Sequence, residues 1–334
     1  MDILNLIKPK DLVDFLDNYD YKTDFMGERL FPSTKTEDIK LAIKMLQDGG
    51  TIPVMAQVHA YDSEARIGDR LNFKEIELTK LFIKEKINQT ERIAEYLGTD
   101  AGENKIVKFI YDDLANMVSR NLTKAEVMRM QVMSDGQIVI NENDISTTIS
   151  YGLNDANKIM LSDWSVAAHD IIADLNGIKK TASKLGFSVV NALTSSKVLG
   201  YIMNNTAIKA IFAGSNILIT ESTLIQWISA NFRINIELND ATYKESANST
   251  TQHRFFDEDK ITFFGDGTLG KGFYGITPEE RELSATAGIE FSESMFVAGL
   301  VWKTSDPVAT WTKASSLFVP APKNINQMLF CKVD

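Results

Sequence analysis

Glu103-Asn104-Lys105-Ile106-Val107-Lys108-Phe109-Ile110-Tyr111-Asp112-Asp113-Leu114-Ala115-Asn116-Met117-Val118-Ser119-Arg120 opens the stretch that decides the fold, and the stretch runs on to Met133. Ile106, Val107, Phe109, Ile110, Leu114, Met117, Val118 and Leu122 recur at spacings of three and four. Val127, Met128, Met130 and Met133 continue the series. That period belongs to an amphipathic helix. About thirty residues at 1.5 Å each predict a rod of roughly 45 Å over residues 104–133. Asp112, Asp113, Asn116 and Arg120 fall off the apolar stripe. A helix this long with one stripe is expected to lie along a sheet. Asp135-Gly136 closes it, and residues 137–140 read as a strand running into a turn at 141–144.

Upstream, residues 51–87 hold two β-prone runs. Val54 and Val58 belong to the first, and Leu71, Phe73, Ile76, Leu78, Leu81 and Ile83 to the second. Between them lies Tyr61-Asp62-Ser63-Glu64-Ala65-Arg66-Ile67-Gly68-Asp69-Arg70, a polar tip with both charge signs and a turn glycine. Such an excursion is marginal alone in water. Either its own chain or another must cover it. Residues 1–50 read as a mobile or partner-dependent lead. Leu12, Val13, Phe15 and Leu16 alternate with Asp11, Asp14, Asp17 and Asp20 behind Pro9, the pattern of a short amphipathic helix. Pro32 breaks an aromatic stretch, residues 36–47 suit a short helix or strand, and Gly49-Gly50 closes the segment.

Downstream, a helix is expected from Ser165 to about Leu185, capped by Ser162 or Asp163 and stopped by Gly186. The texture then turns βαβ-like: strand 187–191, helix 195–204, strand 217–220, helix 223–231 and strand 234–238. Residues 240–275 look hairpin-like, with 261–264 the clearest strand. Residues 309–319 and 328–333 close the chain as apolar strands. Taken in order, the blocks are 1–50, 51–87, 88–186, 187–290 and 291–334 of an α+β protein.

Composition narrows the function. The chain has 334 residues with 35 Lys and Arg against 45 Asp and Glu, so 35 − 45 = −10. At 44% hydrophobic residues it is an ordinary globular chain, long enough for about two domains. A surface that grips nucleic acid needs a basic footprint, and no basic run stands out. Staying close to nucleic acid without adhering to it remains compatible. Cys331 is the one cysteine, so no intrachain disulfide forms, which suits a reducing compartment. No apolar run is long enough for a membrane span. The first residues carry no secretory-signal pattern, so the sequons at Asn88, Asn121, Asn204 and Asn248 read as chance matches.

Gly265-Asp266-Gly267-Thr268-Leu269-Gly270-Lys271-Gly272 matches a dinucleotide fingerprint at three glycines and a P-loop as far as Lys271. A P-loop needs Ser or Thr after the lysine, and Gly272 stands there. Both motifs need a following helix whose amides face the phosphates. Phe273-Tyr274-Gly275-Ile276 is no helix start, so the stretch reads as a turn between strands. His59, His169 and His253 are scattered, without the spacing of a zinc site. No G-x-S-x-G elbow is present. Cys331 lies in an apolar run and reads as a small buried hydrophobe. Thr277-Pro278-Glu279-Glu280 is a helix start. Asp257-Glu258-Asp259 reads as a solvated turn. No catalytic, cofactor-binding or metal-binding residue is assigned, and the chain reads as no enzyme. What remains is a subunit built to complete its burial with neighbours.

Several strings resemble the major capsid proteins of tailed bacteriophages, in the lambda E-like branch. Phe25-Met26-Gly27-Glu28-Arg29-Leu30-Phe31-Pro32 is similar to the family's arm, and residues 53–83 to its extended loop. Residues 103–133, followed by Gly136-Gln137-Ile138-Val139-Ile140, resemble its spine helix and the next strand. Ser305-Asp306-Pro307-Val308-Ala309-Thr310-Trp311-Thr312-Lys313-Ala314-Ser315, Leu317-Phe318-Val319-Pro320 and Met328-Leu329-Phe330 resemble its late strands. The resemblance implies a Hong Kong-type fold. It has an N-terminal arm (1–50), an extended β-hairpin loop (51–87) and a peripheral domain with the spine helix (88–186). An axial domain (187–290) and returning late strands (291–334) complete it. It further implies hexamers and pentamers in an icosahedral shell around double-stranded DNA in the virion, assembled in the host cytoplasm with scaffolding protein and portal. Some members also bind a decoration protein. Asp62, Glu64, Arg66, Asp69 and Arg70 are then candidate intersubunit contacts that select register and partner. Two other readings stay open: a cytosolic nucleotide-binding enzyme using residues 265–272, and an encapsulin-like compartment shell.

Overall fold

The computed structural model describes residues 9–19, 21, 24–46, 55, 73–89, 100–284, 286, 289–305 and 308–333. The chain divides into two compact units that interleave in sequence. The first takes residues 1–41, 77–129 and 271–321, and the second takes 42–76, 130–270 and 322–334. The consecutive blocks read from sequence cut across both.

Helices α1 (Pro9–Asp17) and α2 (Met26–Leu30) and strand β1 (Ser33–Thr36) open the first unit. Strands β2 (Lys40–Leu46) and β3 (Phe73–Thr79) form a two-stranded ribbon. Strand β4 (Leu81–Gln89) leaves that ribbon and joins the main sheet of this unit. The second run of the expected hairpin therefore divides at Lys80, and its later half is sheet rather than excursion. Helix α3 (Asp100–Asp135) is the long rod, continuous over 36 residues.

Strands β5 (Gln137–Glu142) and β6 (Ile145–Ser150) follow in the second unit as a hairpin. Its turn residues Asn143 and Asp144 have φ of 48° and 63°. Positive φ at both central positions is what a tight hairpin turn requires, and Asn and Asp tolerate it. A five-stranded sheet builds the rest of this unit. It contains β7 (Lys158–Leu161), β8 (Asn191–Thr194), β9 (Asn235–Leu238), β12 (Lys260–Phe264) and β17 (Met328–Val333), in the order β7-β17-β12-β8-β9. Short strands β10 (Thr242–Tyr243) and β11 (His253–Arg254) pair separately. Helices α4 (Ile171–Lys184), α5 (Ser196–Asn204), α6 (Thr206–Gly214) and α7 (Glu221–Phe232) pack on the sheet. Alternation along β12 sends Ile261 and Phe263 into that core. Thr262 points the other way and donates to the Met133 carbonyl at 2.6 Å.

Local chemistry corrects several expectations here. The cap of α4 is Asp170, whose carboxylate accepts from the Ala173 amide, so the helix starts at Ile171 rather than Ser165. Residues 217–220 are not a strand. Thr220 caps α7 through a reciprocal capping box with Thr223. Helix α6 stands where no element was expected, capped by Asn205.

The main sheet of the first unit runs β1-β13-β16-β15-β14, with β4 also on β16. Its remaining strands are β13 (Gly270–Gly275), β14 (Ile289–Ser294), β15 (Val297–Ser305) and β16 (Val308–Pro322), and α8 (Pro278–Leu283) lies between β13 and β14. Helix α3 packs on this sheet as its stripe demands. Ile110, Leu114, Met117 and Val118 bury against Val297, Val301 and Ala314. Phe109 falls outside the stripe at 54% exposure. Leu12 and Leu16 of α1 are 0% and 1% exposed in the same cluster. This described part of the lead packs on its own chain and needs no partner for burial.

Candidate functional site

In the first unit, the segment that leads into β1 is held by a buried charge cluster on α3. Glu126 and Arg129 are 2% and 1% exposed, although they sit mid-helix. The Gly27 amide donates to Glu126 Oε1 at 2.7 Å. Arg129 pairs with Glu28 and donates from Nη2 to Ser33 Oγ at 2.8 Å. Glu28 also accepts from the Ser33 amide and hydroxyl, each at 2.9 Å. The Arg129 guanidinium lies 4.9 Å from the Phe318 ring centroid. Three segments distant in sequence, around Glu28, Arg129 and Phe318, therefore meet at one guanidinium. Burial pushes the Glu126 carboxyl up to about 7, against the pull of the Gly27 amide and Arg129.

Two glycines make the approach possible. A Cβ on Gly27 would stand 2.5 Å from Glu126 Oε2 and 2.8 Å from Arg129 Cβ. A Cβ on Gly272 would stand 2.9 Å from the Phe318 ring and 3.0 Å from Arg129 Nη2. Strand β1 then runs parallel to β13 from Ser33↔Gly272 to Thr36↔Gly275. The glycine-rich motif thus supplies close strand packing at its end. Strand β13 follows the turn where a phosphate-binding loop needs a helix.

A second anchor lies within the first unit, at Lys80 between β3 and β4. Lys80 is 3% exposed, and its Nζ donates to the Thr36 carbonyl at 3.0 Å, the Thr36 hydroxyl at 2.6 Å and the Asp38 carbonyl at 2.5 Å. Its backbone amide donates to the Ile39 carbonyl at 3.1 Å. Burial holds its pKa below the ordinary lysine value, against the attraction of Asp38. One side chain ties the strand entering the ribbon to the strand leaving it.

The residues singled out from sequence fall as follows. Asp62, Glu64, Arg66, Asp69 and Arg70 lie outside the described residues, as does His59. His169 Nε2 lies 2.8 Å from Asp174 Oδ2, which also accepts from the Trp164 indole at 2.7 Å. His253 lies 3.6 Å from Glu245 Oε1. Cys331 is buried in the core of the second unit, and burial raises its thiol pKa. Among the described residues no three His, Cys, Asp or Glu side chains gather as metal ligands. No described helix is long and apolar enough to cross a membrane. The anchors Glu28, Ser33, Lys80, Glu126 and Arg129 were not evident from sequence. A charged pair at i, i+3 within an apolar helical series was the one available signal.

A long helix on a sheet, an anchored lead and an outgoing ribbon define a Hong Kong-type shell subunit. The chain belongs to the phage major capsid protein E family, whose model matches residues 9–333. Solved structures share the fold. One is a prophage protein of Escherichia coli CFT073 assigned as a capsid protein, at 13% identity and TM-score 0.63, covering 98% of this chain and 99% of that one. Another is the capsid of Myoviridae phage XM1, at 9% identity and TM-score 0.51, covering 95% and 94%. No curated protein sequence matches. The protein is a structural component of a phage capsid, and the nucleotide-enzyme and encapsulin readings give way to that family.

Proposed function

We propose that this chain is the repeating subunit of hexameric and pentameric capsomers in an icosahedral head enclosing double-stranded DNA. It has no catalytic role. Assembly takes place in the host cytoplasm around a scaffolding protein and a portal. The family match over residues 9–333 carries the reading. Charge supports it: a subunit of net charge −10 adheres weakly to a packaged polyanion. Closed symmetry supports it too, because weak contacts repeated in a shell sum to a stable assembly.

Electron microscopy of the protein expressed alone and with its scaffolding protein tests this. Shells with fivefold and sixfold capsomers are expected. A monodisperse monomer in both preparations overturns the reading. The loop tip is tested separately. Arg66→Glu with Arg70→Glu is expected to leave the subunit folded by circular dichroism and to abolish shells. Normal shells from that variant remove the tip from any role in assembly.

A further inference from the structure

Arg129 stands between two carboxylates, and only one of them can leave. Glu126 lies on the same helix and is 2% exposed, so it stays beside Arg129 whatever the lead does. Glu28 lies on α2 of the lead, and its side chain is 40% exposed. The guanidinium faces Glu28 and Ser33, and its Nη1 stops 3.7 Å from Glu126 Oε2. In this cluster Arg129 Nε and Glu126 Oε2 are both buried without a hydrogen-bond partner among the described residues. A buried donor and a buried acceptor left unmade each cost free energy. These two belong to residues three apart on one helix face, so they can reach each other. The arrangement that pairs them turns the guanidinium away from Glu28.

Charge decides between the two arrangements. With a proton on Glu126, Arg129 and Glu28 cancel. Without it, two negative charges share one positive charge, and a buried charge without its own partner is costly. Arg129 and Glu28 are the charged groups that act on Glu126 among the described residues. Tyr274 of β13 feels the same Arg129 and Glu28, and burial pushes its phenol up to about 12, so it stays neutral near pH 7. Glu28 is the carboxylate that water can take back. Its helix resists little: α2 has five residues, and its Phe25 cap makes no side-chain hydrogen bond. Leu30 and Phe31 are 4% and 0% exposed, so the chain loosens about these two anchors and does not detach.

We propose that Arg129 is the pivot of an exchangeable latch, which holds Glu28 while Glu126 carries a proton and turns to Glu126 when that proton leaves, freeing α2 and the Ser33 amide. That amide donates to Glu28 Oε1 in the held arrangement. Burial raises the Glu126 carboxyl to about 7, so the lead is held below that pH and loosened above it. The latch goes beyond the capsid reading and does not depend on it. The competing role is a fixed staple, in which Arg129 keeps Glu28 at every pH.

Hydrogen exchange of the unassembled full chain, followed by NMR at about pH 5 and about pH 8 and expressed as protection factors, separates the two roles. The Ser33 amide is expected to lose at least about tenfold of its protection, as a carboxyl that drops from about 7 to 4.5 or below allows. The Arg129 Nε–H is expected to gain protection over the same interval, because it acquires Glu126. Opposite changes at the two groups are the mark of partner exchange. A staple changes neither, and a cluster that opens as a whole exposes both together with the Leu114–Val118 turn of α3. Either result overturns the proposal. Glu126→Gln removes the titration and is expected to keep Ser33 protection within about twofold across the interval. A tenfold fall in that variant overturns the latch as well. Glu28→Gln removes the competing charge and is expected to protect the Arg129 Nε–H already at about pH 5. An Nε–H that stays unprotected there in the folded variant counts against Glu28 as the exchanged partner and overturns the proposal. If either variant fails to fold, the opposite changes in the wild-type chain still decide.

Discussion

Arg129 shows how one residue joins distant parts of a chain. Its guanidinium satisfies Glu28 and Ser33 and stacks on Phe318, yet it needs Gly27 to lie flat against Glu126. Gly27→Ala places a methyl 2.5 Å from Glu126 Oε2. Overpacking of this kind costs about 1–3 kcal/mol, so chemical denaturation should show that loss. Glu126 gives the site a pH dependence. Burial raises its pKa from 4.5 to about 7, so the folded protein holds a proton that the unfolded chain releases. The resulting stability is complete below about pH 4.5 and is lost as pH rises through about 7. Glu126→Gln fixes the neutral state. The stability of wild type relative to this variant is expected to fall between about pH 4.5 and pH 7, by at most about 3 kcal/mol. Parallel pH profiles from thermal melts would remove Glu126 as the titrating group.

At the scale of elements, Lys80 decides where ribbon ends and sheet begins. Lys80→Met keeps the aliphatic stem and removes the three hydrogen bonds to Thr36 and Asp38. Hydrogen bonds from a charged donor contribute roughly 1.5–3 kcal/mol, so chemical denaturation should show a loss of that order. Amide exchange should quicken at Lys40 and Leu81 while the Leu114–Val118 turn of α3 keeps its protection. Uniform exchange changes across the first unit would show Lys80 to be a general core residue instead. The elements differ in how plainly the sequence announces them. Helix α3 is legible because its apolar residues repeat at three and four. Strand β14 is not, because Glu290, Ser292, Glu293 and Ser294 read as solvated although Ser292 and Ser294 are 1% and 4% exposed. Glu126 and Arg129 look like a solvated helix face until Gly27 and Glu28, about a hundred residues earlier, are placed beside them. Such pairings are non-local, and no local pattern encodes them. Lys80 is hidden similarly, since Glu77-Leu78-Thr79-Lys80-Leu81-Phe82 reads as one uninterrupted strand.

For the whole molecule, the opposing forces in assembly have different ranges. A net charge of −10 on every copy makes subunits repel at long range. Charge pairs between subunits act only on contact, within one Debye length at any ordinary salt. The Debye length shrinks from about 30 Å at 0.01 M to about 8 Å at 0.15 M. Added salt within that range therefore weakens the repulsion more than the contacts. Light scattering should show assembly starting at lower protein concentration as sodium chloride rises from about 0.01 to about 0.15 M. If salt instead suppressed wild-type assembly from the start, attraction between opposite charges would outweigh the repulsion between whole subunits, and net charge would not limit assembly.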